Sequence, residues 1–152
     1  MHIVIAAIGR AKSGPVTELV EGYRARLPWR VELKEFEAKK GLSGAALKKA
    51  EGGLLRDAIP AGFFTVALDE RGAEHTSEKF AAQIARWRDA SGARLAFALG
   101  GADGHGADFL ATVNAKLSLG RMTWPHLLAR VMLMEQLYRA HTILTGHPYH
   151  RA

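Results

Sequence analysis

Short, nearly unbroken apolar runs alternate along this chain with longer stretches whose apolar residues recur every three or four positions. His2 to Ile8 reads as a strand buried on both faces. Pro15 to Leu27 reads as a helix, with Pro15 at an early position and Pro28 beyond its end. Val31, Leu33 and the alternating charges up to Glu37 predict a half-exposed edge strand. Ser43 to Ile59 predicts a second helix, weakened by Gly52-Gly53 and broken at Pro60-Ala61-Gly62. Phe63 to Asp69 is the strongest strand pattern, and Arg71-Gly72 is expected to turn it. Thr76 or Ser77 caps a helix to Asp89, and Arg94 to Leu99 is a further buried strand. A helix from Ala107 to Lys116 and a short strand from Leu119 to Thr123 follow. Pro125 then precedes a last helix, His126 to Leu144, which Gly146 stops.

Strands separated by helices of this length predict an α/β fold, a mostly parallel sheet flanked by helices. Ligands in such sheets bind beyond the carboxyl ends of strands. The positions to search are therefore those after Leu68, after Leu99 and after the strand expected to end near Thr123. No repeat, low-complexity tract or linker composition interrupts the pattern, so residues 1–152 are expected to form one domain.

Composition narrows the picture. At 48% hydrophobic and 24% charged residues the chain is an ordinary globular sequence rather than a disordered one. No apolar run reaches the roughly 18–20 residues of a membrane span. The apolar start lacks the charged region and cleavage site of a signal peptide, so the expected compartment is the cytoplasm. With no cysteine there is no disulfide, thiolate metal site or cysteine nucleophile. The net charge of +6 admits a polyanionic partner. A chain of 152 residues has little room for both a cofactor pocket and a large substrate platform, so a large substrate calls for a second subunit.

Four segments carry candidate chemistry. Gly100-Gly101-Ala102-Asp103-Gly104-His105-Gly106 has more glycines than a tight turn needs, and it opens a helix whose first N–H groups are unpaired. That excess points to a ligand loop, although the spacing and late position are wrong for a dinucleotide fingerprint. Leu119 to His126 combines a glycine, an aromatic and a proline that suit a flat heterocycle. Its spacing alone favours a plain strand, turn and helix start, with Trp124 in the core. The last helix is apolar on more than one side, which core packing and a subunit interface together explain. Met122, Met132 and Met134 read as packing residues, and Glu135 with Arg139 as a surface ion pair.

The fourth segment is the tail, His147-Pro148-Tyr149-His150-Arg151. A frayed end is the ordinary expectation. Two imidazoles, a phenol and a guanidinium can nevertheless stack on a base, hold phosphate and move a proton near neutral pH. No carboxylate or thiolate lies nearby in sequence, so His147 and His150 make no convincing zinc site, and no metal is expected. From Leu119 onward Arg121, Arg130, Arg139 and Arg151 face only Glu135, which concentrates half the chain's excess charge there. Lys12, Lys39, Lys40, Lys48 and Lys49 are further possible phosphate contacts.

Gly100 to Gly104, Met122-Thr123-Trp124-Pro125-His126, Glu135-Gln136-Leu137-Tyr138-Arg139-Ala140 and the terminal His147 to Arg151 together resemble the RlmH family. These SPOUT-class enzymes methylate N3 of a pseudouridine in 23S ribosomal RNA. The resemblance spans the chain and is most specific toward its end. Trp124 stands where the family usually has Leu, and Ala102-Asp103 where Pro-Glu is common. The resemblance implies a homodimer acting on the ribosome, and a deep C-terminal trefoil knot that holds S-adenosylmethionine. It puts cofactor contacts on Leu68, Gly100, Leu119, Gly120, Arg121, Met122, Thr123 and Trp124, at the same strand ends that the pattern singles out. It brings the tail to the methyl donor and the target base.

Side-chain chemistry then suggests roles. His150 or His147 assists deprotonation of N3, Arg151 stabilises the anionic base or anchors phosphate, and Tyr149 stacks or hydrogen-bonds. Two rival readings are a non-enzymatic RNA-binding or ribosome-assembly protein and an ordinary Rossmann methyltransferase. The complete tail and glycine loop disfavour the first. The second expects a glycine loop after the first strand, where Gly9 stands almost alone.

Overall fold

In chain order the elements are β1 (His2–Ile8), α1 (Pro15–Arg26), β2 (Arg30–Phe36), α2 (Gly44–Ala58), β3 (Phe64–Glu74), α3 (Ser77–Ala90), β4 (Arg94–Leu99), α4 (Ala107–Leu110), β5 (Ala115–Ser118) and α5 (His126–Leu144). The computed structural model describes residues 1–151. The five strands lie in the order β2-β1-β4-β3-β5, and every neighbouring pair is parallel. Helices cover both faces, as parallel crossovers require. Ile3, Ile5 and Ala7 of β1 join Val66, Leu95 and Phe97 beneath α1, α3 and α5. Ala6, Ile8, Ala67 and Ala98 face the other way, and these mostly small residues pack with Leu55, Ala58 and Phe109 of α2 and α4. β1 is thus enclosed above, below and on both edges, which is why its sequence is continuously apolar.

Three local expectations fail, each for a visible reason. Arg71-Gly72 does not end the third strand. Leu68 and Ala73 both lie in register with Leu117, so Asp69 to Gly72 are looped out and the strand then resumes. A Cβ on Gly72 would sit 2.6 Å from the Leu117 backbone nitrogen, so only a bare backbone rejoins the ladder there. The fourth helix ends at Leu110 rather than Lys116. Thr112 bonds back to the Phe109 carbonyl, and Asn114 grips Thr65 of β3 twice, through its side chain at 2.7 Å and its backbone N–H at 2.9 Å. That grip starts β5 at Ala115, so the strand expected at Leu119 to Thr123 lies earlier and those residues form a loop. The end of α5 matches expectation: Gly146 has φ +69°, and the N–H groups of Gly146 and His147 return to the carbonyls of Ile143 and Thr142.

The first turns of α5 are tied to the sheet by a buried cation. Arg130 is 1% exposed, pairs with Glu35 of β2, and donates to the Gly9 carbonyl at 2.9 Å just beyond β1. Its Nε has no partner among the described residues, and burial lowers the guanidinium's pKa against the opposing pull of Glu35. Replacing it takes the cation from Glu35, which keeps the Ala11 N–H at 3.2 Å, and removes the polar tie between α5 and the ends of β1 and β2. Arg130→Met is expected to cost about 3 kcal/mol in urea unfolding. A loss below about 1 kcal/mol would show that the pair behaves as a surface contact.

Candidate functional site

The carboxyl ends of β3, β4 and β5 open into a cleft of about 420 Å³, within the usual span of about 300–1,000 Å³ for small-molecule sites. Three segments wall it: the loop-out after Leu68, the glycine loop after Leu99 and the chain from Leu117 to Trp124. Leu68, Gly100, Leu119, Gly120, Met122, Thr123 and Trp124 line it. Arg121 does not. Its side chain is 92% exposed and faces Glu74 at 3.5 Å. Trp124 is exposed at the cleft rather than buried in the core, and Met122 is 75% exposed rather than packed. Both follow from the early end of β5. Gly120 at φ +111° takes the chain out of the sheet, and residues 119–125 run as a loop to α5.

The glycine loop is moulded on one face of α2. A Cβ on Gly101 would stand 2.7 Å from Glu51 Oε1, and one on Gly52 would stand 3.1 Å from the Cβ of Phe109. Lys48, one turn before Gly52, lies against Gly106 and also lines the cleft. Gly104, at φ +72°, donates to the Gly101 carbonyl at 3.0 Å and closes the turn. Close packing therefore accounts for part of the glycine content, and the loop's open side still faces the cleft.

Two side chains in or just behind these walls each bury one polar atom that has no hydrogen-bond partner among the described residues. Glu51 is 7% exposed and its Oε2 has no hydrogen bond; burial and then the Asp103 charge raise its pKa, against the Gly101 N–H. His105 stacks on Phe109 at 5.1 Å, and its Nε2 is likewise buried and unpartnered. Burial lowers the His105 pKa, opposed by Asp69 and by the carbonyls of Ala98 and Leu68. The backbone N–H groups of Met122, Thr123 and Trp124 donate to no protein backbone carbonyl among the described residues. Charged groups of both signs line the cleft, Lys48, Arg71 and Lys116 among the bases and Asp69, Glu70 and Asp103 among the acids.

The tail does not line this cleft. It folds back onto α5 and α3. Tyr149 donates its hydroxyl to Glu135 at 3.1 Å and sets its ring edge against Tyr138 at 4.8 Å. His150 bridges Arg139 and Glu78, and Arg139 is gripped twice by Glu135. Glu135 and Arg139 are thus a half-buried brace for the tail, not a surface pair. His147 is exposed and accepts the Tyr149 N–H at 3.2 Å, and Arg151 is exposed.

Residues 1–150 match the family described as "Predicted SPOUT methyltransferase". Ribosomal RNA large subunit methyltransferase H of Rhodospirillum centenum is 51% identical over 152 residues, all of both chains. Its namesake in Paramagnetospirillum magneticum is 50% identical, with 99% of each chain covered. This chain belongs to the RlmH family of SPOUT methyltransferases. The fold also resembles a probable methylase family protein from Haemophilus influenzae, with a TM-score of 0.61 at 10% identity over 99% of this chain and 70% of that one.

Within this RlmH-family chain, reading by motif gives no role to Glu51, packed behind Gly101, or to Asp69 in the wall. One signal was available for the first. Glu51 precedes a glycine pair inside a helix, and such a pair marks close approach as well as weakness. His126, the last residue of the Met122 to His126 motif, lines the cleft, and a Cβ on Gly9 would come 2.7 Å from its Nε2. Gly101→Ala should cost about 1–3 kcal/mol in denaturant unfolding, through collision with Glu51. In a Glu51→Ala background the same change should cost at least about 0.5 kcal/mol less. Equal costs in both backgrounds would disprove the packing role given to Glu51.

Proposed function

We propose that this chain is an S-adenosylmethionine-dependent methyltransferase that methylates N3 of a pseudouridine in 23S ribosomal RNA. It works in the cytoplasm, on the assembled ribosome, as a homodimer of one-domain subunits whose C-terminal segments form the trefoil knot implied by the family resemblance. The observation that carries this reading is the convergence of three strand-end segments on one cleft in a chain of this family. The relatives' names specify large-subunit ribosomal RNA.

The cleft suits the cofactor chemically. Gly100 and Gly120 present bare backbone for close approach, and the amides of Met122, Thr123 and Trp124 suit the acceptor edge of an adenine. Leu68, Leu119 and Trp124 supply apolar contact, while a rim of both signs suits a ligand bearing ammonium and carboxylate groups. When bound, S-adenosylmethionine supplies a methyl group made electrophilic by its sulfonium.

The chain's own part is to position the base and remove its N3 proton. His150 or His147 takes that proton, and Arg151 balances the charge left on the base or holds phosphate. Burial and the neighbouring Tyr23 and Glu135 push the Tyr149 hydroxyl above its ordinary pKa, so it stays protonated beside the base. Because no tail side chain lines the cleft of its own subunit, a second copy is the natural source of these groups. Exposed Met122, Trp124 and Leu128 offer the apolar surface for it.

Truncation after Gly146 tests the division of labour. Calorimetric affinity for S-adenosylmethionine should stay within about threefold, under 1 kcal/mol, while methyl transfer to ribosomes collapses. Transfer that persists would refute the tail roles. Failure of the intact chain to bind the cofactor at millimolar concentration would instead favour an RNA-binding module.

A further inference from the structure

The two tail imidazoles are not equivalent, and their hydrogen bonds separate them. His150 Nδ1 lies 3.3 Å from a terminal nitrogen of Arg139. A guanidinium can only donate, so Nδ1 carries its lone pair and not a proton. His150 Nε2 lies 2.8 Å from Glu78 Oε1. An ionised carboxylate can only accept, so the imidazole proton sits on Nε2. His147 is differently engaged, because its Nδ1 lone pair is taken by the Tyr149 backbone N–H. That bond shapes the tail and leaves no basic atom free on the neutral ring.

The surroundings of His150 are built to keep this arrangement. Glu78 lies in the first turn of α3, where the unpaired N–H groups and the Thr76 cap favour a negative charge. Its own N–H, the Thr76 hydroxyl and His150 hold its carboxyl at about 2, so it is ionised at any physiological pH. Arg139 is held by Glu135 at 2.6 and 3.0 Å, much more firmly than by its longer contact with His150. The Tyr149 ring lies under the same guanidinium at 4.9 Å. Arg139 can therefore give up the imidazole without losing its anchor.

We propose that His150, rather than His147, is the proton acceptor of the reaction, and that Glu78 is its positioning residue. The inference rests on the methyltransferase reading above. As the base enters, its N3–H displaces Arg139 from Nδ1. The proton passes from N3 to Nδ1, giving an imidazolium whose Nε2–H is held against the Glu78 carboxylate. The N3 electron pair forms the new N–CH3 bond as the methyl–sulfur bond breaks, and sulfur keeps that pair as a neutral thioether. Glu78 touches neither substrate nor cofactor. It holds the ring and stabilises its positive charge, the part a carboxylate plays behind a histidine base in hydrolases.

The first measurement is on the full-length, cofactor-free protein by nitrogen-15 NMR at mildly alkaline pH. The expected spectrum shows His150 with an unprotonated Nδ1 and a slowly exchanging Nε2–H. In Glu78→Ala that proton should be lost to exchange with water, while the melting temperature confirms folding. The second is single-turnover methyl transfer on ribosomes. Glu78→Ala should slow transfer by about 10- to 100-fold with calorimetric cofactor affinity unchanged, and Glu78→Gln, which keeps an acceptor, should recover part of the rate. His150→Ala should be slower still, and slower than His147→Ala, which removes only the bond that shapes the tail. A proton on Nδ1, or an Nε2–H indifferent to Glu78→Ala, overturns the positioning role. Collapse in His147→Ala with an active His150→Ala overturns the choice of base. An intact protein that methylates no pseudouridine-containing ribosome overturns the methyltransferase reading itself, and the acceptor assignment with it.

Discussion

Arg130 occupies a place where a globular protein rarely tolerates a charge. It reaches from the second turn of α5 to the carboxyl edge of the sheet, pairing with Glu35 and donating to the carbonyl of Gly9. Because the guanidinium is nearly dry, its few bonds are strong and directional, and they set where α5 begins relative to β1 and β2. Everything that walls the cleft from this side hangs on that placement. His126 lies against Gly9 one turn before Arg130, and the loop from Leu119 to Pro125 must span from the end of β5 to the same point.

The opposite wall depends on closeness rather than charge. α2 approaches the glycine loop at Gly101 and α4 at its own Gly52, and the loop-out after Leu68 returns to the ladder through Gly72. Each contact requires a missing side chain on at least one partner. Glycines that read as ligand contacts or helix weakness thus also serve packing, and the two purposes meet in one loop. Glu51 shows the cost of such proximity, with one carboxylate oxygen buried and unpartnered behind Gly101.

The tail inverts the usual expectation for a terminus. Tyr149 and His150 are held by Glu135, Arg139 and Glu78, groups spread over two helices and far apart in sequence. The brace gives His150 a defined tautomer, a property that composition cannot supply. It also keeps the tail's chemistry outside the cleft of its own subunit. The concentration of positive charge toward the chain's end therefore has two structural roles, one in the Arg130 clamp and one in the tail brace.

Hydropathy period was enough to locate β1, β4 and the long helices, because a strand enclosed on every side must be apolar throughout and an amphipathic helix must repeat its apolar face. It was also enough to direct attention to three strand ends, since parallel sheets bind ligands there. Motifs within the chain carried the family. What periodicity could not resolve was any boundary set by a contact distant in sequence. The grip of Asn114 on Thr65 ends α4 and starts β5, and Gly72 resumes a strand that Arg71-Gly72 was expected to turn. Trp124 and Met122 read as core residues until the early end of β5 carried them into the cleft loop. Local sequence determined which residues were apolar, turn-forming or basic. Only the tertiary structure decided which were crowded, buried or paired, because those states depend on atoms brought together from elsewhere in the chain.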